Sequence, residues 1–177
     1  MDNNYKFKAT KVANGSKTFK NSLNNNQNNQ NVILVQKTGK AKVKKAELIK
    51  TGHSDSEGLS LWRGQNAALL VAPYSQATIE NSTITTNGDG ASGIVGSGKK
   101  VKITAKDLTI RTNNRVSQGI GAAYGAEISL KQSNISTYGS QSPALATATK
   151  VDSTSLLMAS PFVLTAKTAP SSAQPAR

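Results

Sequence analysis

"ATIENSTITTNGDGASGIVGSGKKVKITAKDLTIRTN" (residues 77–113) states one pattern twice. A short alternating strand gives way to a Thr/Asn/Gly corner, then small residues and Gly, and the strand returns. The same spacing, apolar-x-apolar-x-x-x-x-apolar, fits Ala41, Val43 and Leu48, then Ala77, Ile79 and Ile84, then Val101, Ile103 and Leu108, then Ile128, Leu130 and Ile135. Before each copy lies a second apolar stretch: "VILV" (32–35), "ALLV" (68–71), "GIV" (93–95) and "GIGAA" (119–123). A fifth copy begins at "PALAT" (143–147). Helical periodicity is poor, and the residues are strand and corner formers.

Val43, Ile79, Ile103 and Leu130, read as equivalent, stand 36, 24 and 27 residues apart. The long interval contains "GHSDSEGLSLWRGQN" (52–66), which reads as a loop inserted at one corner of one coil. A repeat of this length holding two or three short strands is too long for a hairpin and too short for a propeller blade. Coiled once per copy, it stacks equivalent strands in parallel about 4.8 Å apart. Equivalent Ile, Val and Leu side chains then form interior columns, each worth roughly 1.5–3 kcal/mol when buried. Gly and Asn are expected to supply positive φ at the corners. The fold expected is all-β: a right-handed parallel β-helix, or solenoid, of about four to five coils over residues 31–149.

The flanks read differently. Residues 1–30 include the Asn/Gln tract "SLNNNQNNQN" (22–31) and are expected to be disordered or a solvated cap. Residues 150–177 carry no Gly or Asn and hold three of the five prolines. They do not continue the repeat by pattern. One reading is a cap with a strand at "FVLTA" (162–166) and a flexible end; the other is a shifted reading frame that truncates a longer protein. An uncapped end would leave strand edges open to self-association.

"GIVGSGKKVKITAKDLTIRTN" (93–113) and "QGIGAAYGAEISLKQSNISTYGSQSPALAT" (118–147) resemble the repeats of bacterial autotransporter passenger domains and related large adhesins, of the pectin-lyase-like right-handed β-helix class. The resemblance covers residues 31–149. It implies a non-enzymatic cell-surface or secreted protein, a fragment of an adhesin passenger, whose partners are a host or neighbouring cell surface, glycans or matrix. The motif encodes coil geometry rather than a site. The C-terminal membrane barrel of that family is not among these residues, and the coils are fewer than is usual there.

Chemistry on the chain is sparse. There are no cysteines, so neither disulfides nor thiolate metal sites are available. The polar start, "MDNNYKFKATKVANGSKTF" (1–19), lacks the apolar core of an ordinary secretory signal. Export would require a longer precursor or another route. No run of about 18 apolar residues suits a transmembrane helix. Enzymes on this fold use clusters of carboxylates. Here Glu80, Asp89, Asp107 and Glu127 stand singly in different copies, and Glu80 is aligned with Lys44, Thr104 and Lys131, facing outward. "HSDSE" (53–57) offers one imidazole and two carboxylates in a loop, short of a rigid triad or a specific metal site. "GSGKK" (96–100) lacks the Ser/Thr and the helix of a phosphate-binding loop. The sequence therefore assigns no catalytic, cofactor or metal-binding residues.

A formal net charge of +13 favours polyanionic partners. Alternation turns Lys42, Lys44 and Lys102 outward, with Lys42 aligned to Lys102 and Lys44 to Lys131. Together with Lys40, Lys45, Lys99, Lys100 and Lys106 they make a basic face for acidic polysaccharide or another polyanion. Edge protection by lysine is the competing structural account. Trp62 and Arg63, in the inserted loop, are candidates to stack on a sugar or anchor a partner. No aromatic interleaving is visible in sequence, so specific nucleic-acid recognition is not expected. A polysaccharide lyase-like relative without an identifiable catalytic cluster is the remaining reading.

Overall fold

The computed structural model describes residues 6–148, 155–159 and 163–166. The chain winds through six coils. They are β1 (Lys8–Ala13) and β2 (Ser16–Asn25); β3 (Gln30–Val35) and β4 (Lys40–Lys50); β5 (Leu69–Val71) and β6 (Gln76–Thr86); β7 (Ile94–Ser97) and β8 (Lys102–Thr112); β9 (Ile120–Ala123), β10 (Glu127–Lys131) and β11 (Asn134–Thr137); and β12 (Leu145–Ala148), β13 (Ser155–Ala159) and β14 (Val163–Ala166). One short helix, α1 (Glu57–Arg63), interrupts the second circuit. The odd-numbered strands β1 to β9, followed by β12, form one sheet, here sheet A. In sheet B, β2, β4, β6 and β8 stack in order, and β8 continues into β10 and β13 and, alongside, β11 and β14. Every pairing is parallel. This is a parallel β-solenoid.

It has more coils than the four to five expected: the last begins at "PALAT", as read from the sequence, but its later strands, like the whole first coil, come from segments that looked unlike the repeat. Residues 8–25, expected to be disordered or a cap, are the first coil. The Asn tract runs from the end of β2 through the corner that follows it into the start of β3. Its amides act as substitute backbone: Asn28 Oδ1 accepts from His53 N at 2.9 Å, Asn29 Oδ1 from Asp55 N at 2.9 Å, and Asn31 Nδ2 donates to Gly64 O at 2.7 Å. A tract with little to bury is thus ordered by pairing with the coil beside it. At the other end, β13 and β14 pair with β10 and β11, so the repeat runs on past residue 149. The expected strand at 162–166 is seen as Val163–Ala166, while the expected flexible end falls outside the described residues.

The core is made of columns. Ala41, Ala77, Ile103 and Ile128 stack in register, as do Val43, Ile79, Ala105 and Leu130, and Leu48, Ile84, Ile110 and Ile135. Ile33, Leu69, Ile94 and Ile120 face them from sheet A. All are buried. One alignment from sequence is corrected: Ile103 pairs with Ala77, and Ala105 takes the place beside Ile79. Four residues separate Val71 from Gln76, but five separate their partners Gly96 and Lys102. That longer corner, and the small size of Ala105, disguised a slip of two residues. A slip of two leaves inside and outside unchanged.

Each long sheet-B strand bends once at a left-handed residue. Asn21, Lys45, Asn81, Asp107 and Gln132 hold φ between 47° and 67°. Corners were expected to rely on Gly and Asn, yet Lys, Gln, Asp and Tyr also take this conformation. Serines repair the ladder beside the bend. Ser82 Oγ accepts from Ala46 N at 3.1 Å and donates to Glu80 O at 2.8 Å; Ser133 Oγ does the same with Leu108 N (3.2 Å) and Lys131 O (2.8 Å). At the corner leading back to sheet A, glycine is required for close approach rather than for φ. A Cβ on Gly88 would collide with the carbonyl of Gly52, and one on Gly52 with the carbonyl of Gln27.

Candidate functional site

The insertion between β4 and β5 is a short helix seated on the outside of sheet A. Ser56 caps α1, its Oγ accepting from Leu59 N at 3.3 Å, and Gly64 ends it at φ 74°. The outer side of sheet A is apolar along Leu34, Leu70 and Val95, and this cluster is buried. The helix packs against β7 and β9. Gln118 Nε2 donates to Leu61 O at 2.9 Å and Ser97 Oγ donates to Trp62 O at 2.9 Å, tying it to coils further along the stack. Trp62 is left 39% exposed. Arg63 lies over the ring of Tyr124, 4.8 Å from its centroid.

The rest of "HSDSE" goes into this scaffold. His53 Nδ1 accepts from Asp89 N at 3.2 Å, which puts the neutral imidazole's proton on Nε2. Asp55 accepts from Asn29 Nδ2, and Glu57 pairs with Arg115. These side chains point to different neighbours and do not converge. Among the described residues, no group of three His, Asp or Glu side chains is arranged to hold a metal ion.

Sheet B carries the basic face. Its first outward row runs Ser16, Lys40, Gln76, Lys102 and Glu127; its second Thr18, Lys42, Thr78, Thr104 and Ser129; its third, from β4 onward, Lys44, Glu80, Lys106 and Lys131. Lys44 and Lys131 share a row, as expected, with Glu80 between them, and Lys106 rather than Thr104 completes it. Lys42 is not aligned with Lys102, which joins Lys40 instead; the cause is the two-residue slip described above. Two exposed contacts temper the charge: Lys102 to Glu127 at 3.9 Å and Lys106 to Asp107 at 3.6 Å. Such pairs are worth little in water. Lys106 and Lys131 are register partners on adjacent strands, a like-charge placement that costs stability.

The two sheets meet at a corner rich in aromatic rings and cations. Tyr74, 54% exposed, has Lys100 Nζ 5.8 Å from its ring centroid. Tyr74 N donates to Lys99 O at 2.9 Å, and Gly98 N to Ala123 O at 2.9 Å, which places Tyr74 beside Lys100 and Gly98 beside Tyr124. Elsewhere, Arg111 lies 4.3 Å from the Tyr138 centroid. At the corners, aromatic and cationic residues thus come together from different coils, while the outward rows of sheet B hold no aromatic residue.

The strongly perturbed titratable group among the described residues is not on these surfaces. Lys50 is buried in an interior polar column with Asn25, Thr86, Thr112 and Thr137. Its Nζ donates to Gln27 O at 2.9 Å, and burial lowers its pKa to about 8.

Fold and surface together define a class: a parallel β-solenoid with a basic outer sheet and an aromatic–cationic corner. No protein-family model, curated protein or solved structure matches the chain.

Proposed function

We propose that the chain is a non-enzymatic adhesive β-solenoid, exposed at a cell surface or secreted in the manner of autotransporter passengers, and that the lysine face of sheet B binds acidic polysaccharide on a neighbouring surface or matrix. The observation that carries this reading is the position of the lysines. Edge protection accounts for Lys8, Lys11, Lys17 and Lys20, which lie on β1 and β2 at the end of the stack. It does not account for Lys40, Lys42 and Lys44 on β4, or Lys102 and Lys106 on β8, because these strands are flanked on both sides. A row that sets Lys106 beside Lys131 is destabilising alone and is relieved when an anionic polymer lies across it.

The test is salt-dependent retention on a heparin-like resin. Reversing Lys42, Lys44, Lys106 and Lys131 to Glu is expected to abolish retention at physiological salt. Reversing Lys8, Lys11, Lys17 and Lys20, with the same change in net charge, is expected to leave much of it. Equal losses from both sets would reduce the effect to overall charge and sink the assignment of a face.

A further inference from the structure

The corner between the sheets holds two of the chain's eight aromatic side chains, Tyr74 and Tyr124, and the backbone of a third, Trp62, is anchored beside it by another coil. Trp62 is fixed through its carbonyl on Ser97, Tyr124 lies under Arg63, and Tyr74 lies under Lys100. Tyr74 and Tyr124 stand two coils apart, about 10 Å along the stack. The coil between them sets Gly98, which lies against Pro73, beside Tyr124, and Lys100 beside Tyr74, so the two rings are also offset along the corner. Lys37, Lys99 and Lys100 are exposed on the same set of corners. No Asp or Glu occurs at 36–40, 72–76 or 97–102, and after Ala123 the first is Glu127. These corners lead directly into Lys40 and Lys102, the first outward row of the lysine face.

We infer that this corner is a subsite for the uronic-acid rings of an acidic polysaccharide, whose chain then continues across sheet B. The inference rests on the polyanion reading above and adds what that reading lacks, a means of distinguishing sugars from other polyanions. A uronic-acid ring carries an apolar C–H face and a carboxylate on one unit. The exposed Tyr74 ring offers a surface for the C–H face, and Lys100, 5.8 Å from its centroid, a cation for the carboxylate. A nucleotide holds its flat base and its phosphate apart on a ribose, and strand-binding proteins meet it with successive stacking platforms along a groove. Here the tyrosines are instead offset, with a full coil between them and a cation at each, which gives separated ring-and-charge sites rather than a continuous stacking groove.

Trp62 is the chain's single tryptophan, so its fluorescence reports on this corner alone. The full chain is titrated with a hyaluronan octasaccharide, inorganic polyphosphate and single-stranded oligodeoxythymidine. The hyaluronan fragment is expected to change Trp62 emission saturably, while polyphosphate binds without changing it. Combining Tyr74→Asn with Lys100→Gln is expected to weaken hyaluronan binding about tenfold and to leave polyphosphate binding within about twofold. Asn tolerates the left-handed conformation of residue 74, so the fold is retained. An unchanged Trp62 emission in a chain still retained on the resin would overturn the subsite and spare the lysine face. Loss of all polyanion binding would instead remove the reading beneath it. An equal emission change with oligodeoxythymidine would overturn the preference for sugar.

Discussion

Replacing Lys50 with Met tests whether the solenoid interior contains a titrating amine. The amine is buried, with Gln27 O as its acceptor, and its pKa falls from 10.5 to about 8. In the unfolded chain the amine stays protonated up to its ordinary value. Between about pH 8 and 10.5 the unfolded state therefore binds one proton that the folded state has released, and stability rises with pH. Below about pH 8 both states are protonated, and the folded state bears the cost of a buried charge. The full excursion is about 3 kcal/mol. Every other ionisable group is common to the parent and to Lys50→Met. The quantity to follow is the stability of the variant minus that of the parent, from denaturant unfolding read by Trp62 fluorescence. Solenoids open in stacked units, and Trp62 lies in the insertion that directly follows β4 and Lys50. The difference is expected to be most favourable to the variant at pH 7 and to shrink by about 3 kcal/mol by pH 11. A difference constant to within about 0.5 kcal/mol would refute the reasoning, and with it the buried, uncompensated amine.

Two further outcomes concern the coil geometry. Gly88→Ala drives a methyl into the carbonyl of Gly52 and is expected to cost at least 3 kcal/mol in chemical denaturation; Gly15→Ala, with nothing near its Cβ, is expected to cost about 1 kcal/mol at most. Ser133→Ala leaves the buried N–H of Leu108 without its acceptor and is expected to cost about 1–3 kcal/mol, with faster amide exchange at Leu108.

Much of the architecture was legible because a solenoid writes its fold as a period. The inserted corner stood out as a lengthened interval. The Asn/Gln tract at 22–31 did not, since asparagines that pair as substitute backbone have the composition of disorder. The slip at Ile103 escaped because alternation has a period of two and Ala105 is too small to mark a core position. Helix α1 spans seven residues, too few for helical periodicity, so the stretch between its caps Ser56 and Gly64 read as a loop. The lysine face was legible in its direction but not in its rows. The aromatic corner was illegible as a unit: Arg63 and Tyr124 are 61 residues apart, and only coiling brings them together. Lys50 was readable in principle, standing two places after Leu48 on the inward side.

The insertion between β4 and β5 leaves the pairing around it intact. Strand β3 meets β5 and β4 meets β6 in continuous register, although the chain has made an excursion of some fifteen residues between them. A corner in this architecture is thus decoupled from the strands it joins, and what is hung there can change without renegotiating the core. Recognition and folding are separately editable in such a molecule. The segment bearing Trp62 and Arg63 is exchangeable for another of similar length, provided that the replacement shields Leu70 and Val95 and supplies acceptors for Asn31, Ser97 and Gln118, and the stack beneath serves as a ruler that fixes how far apart successive grafted segments stand.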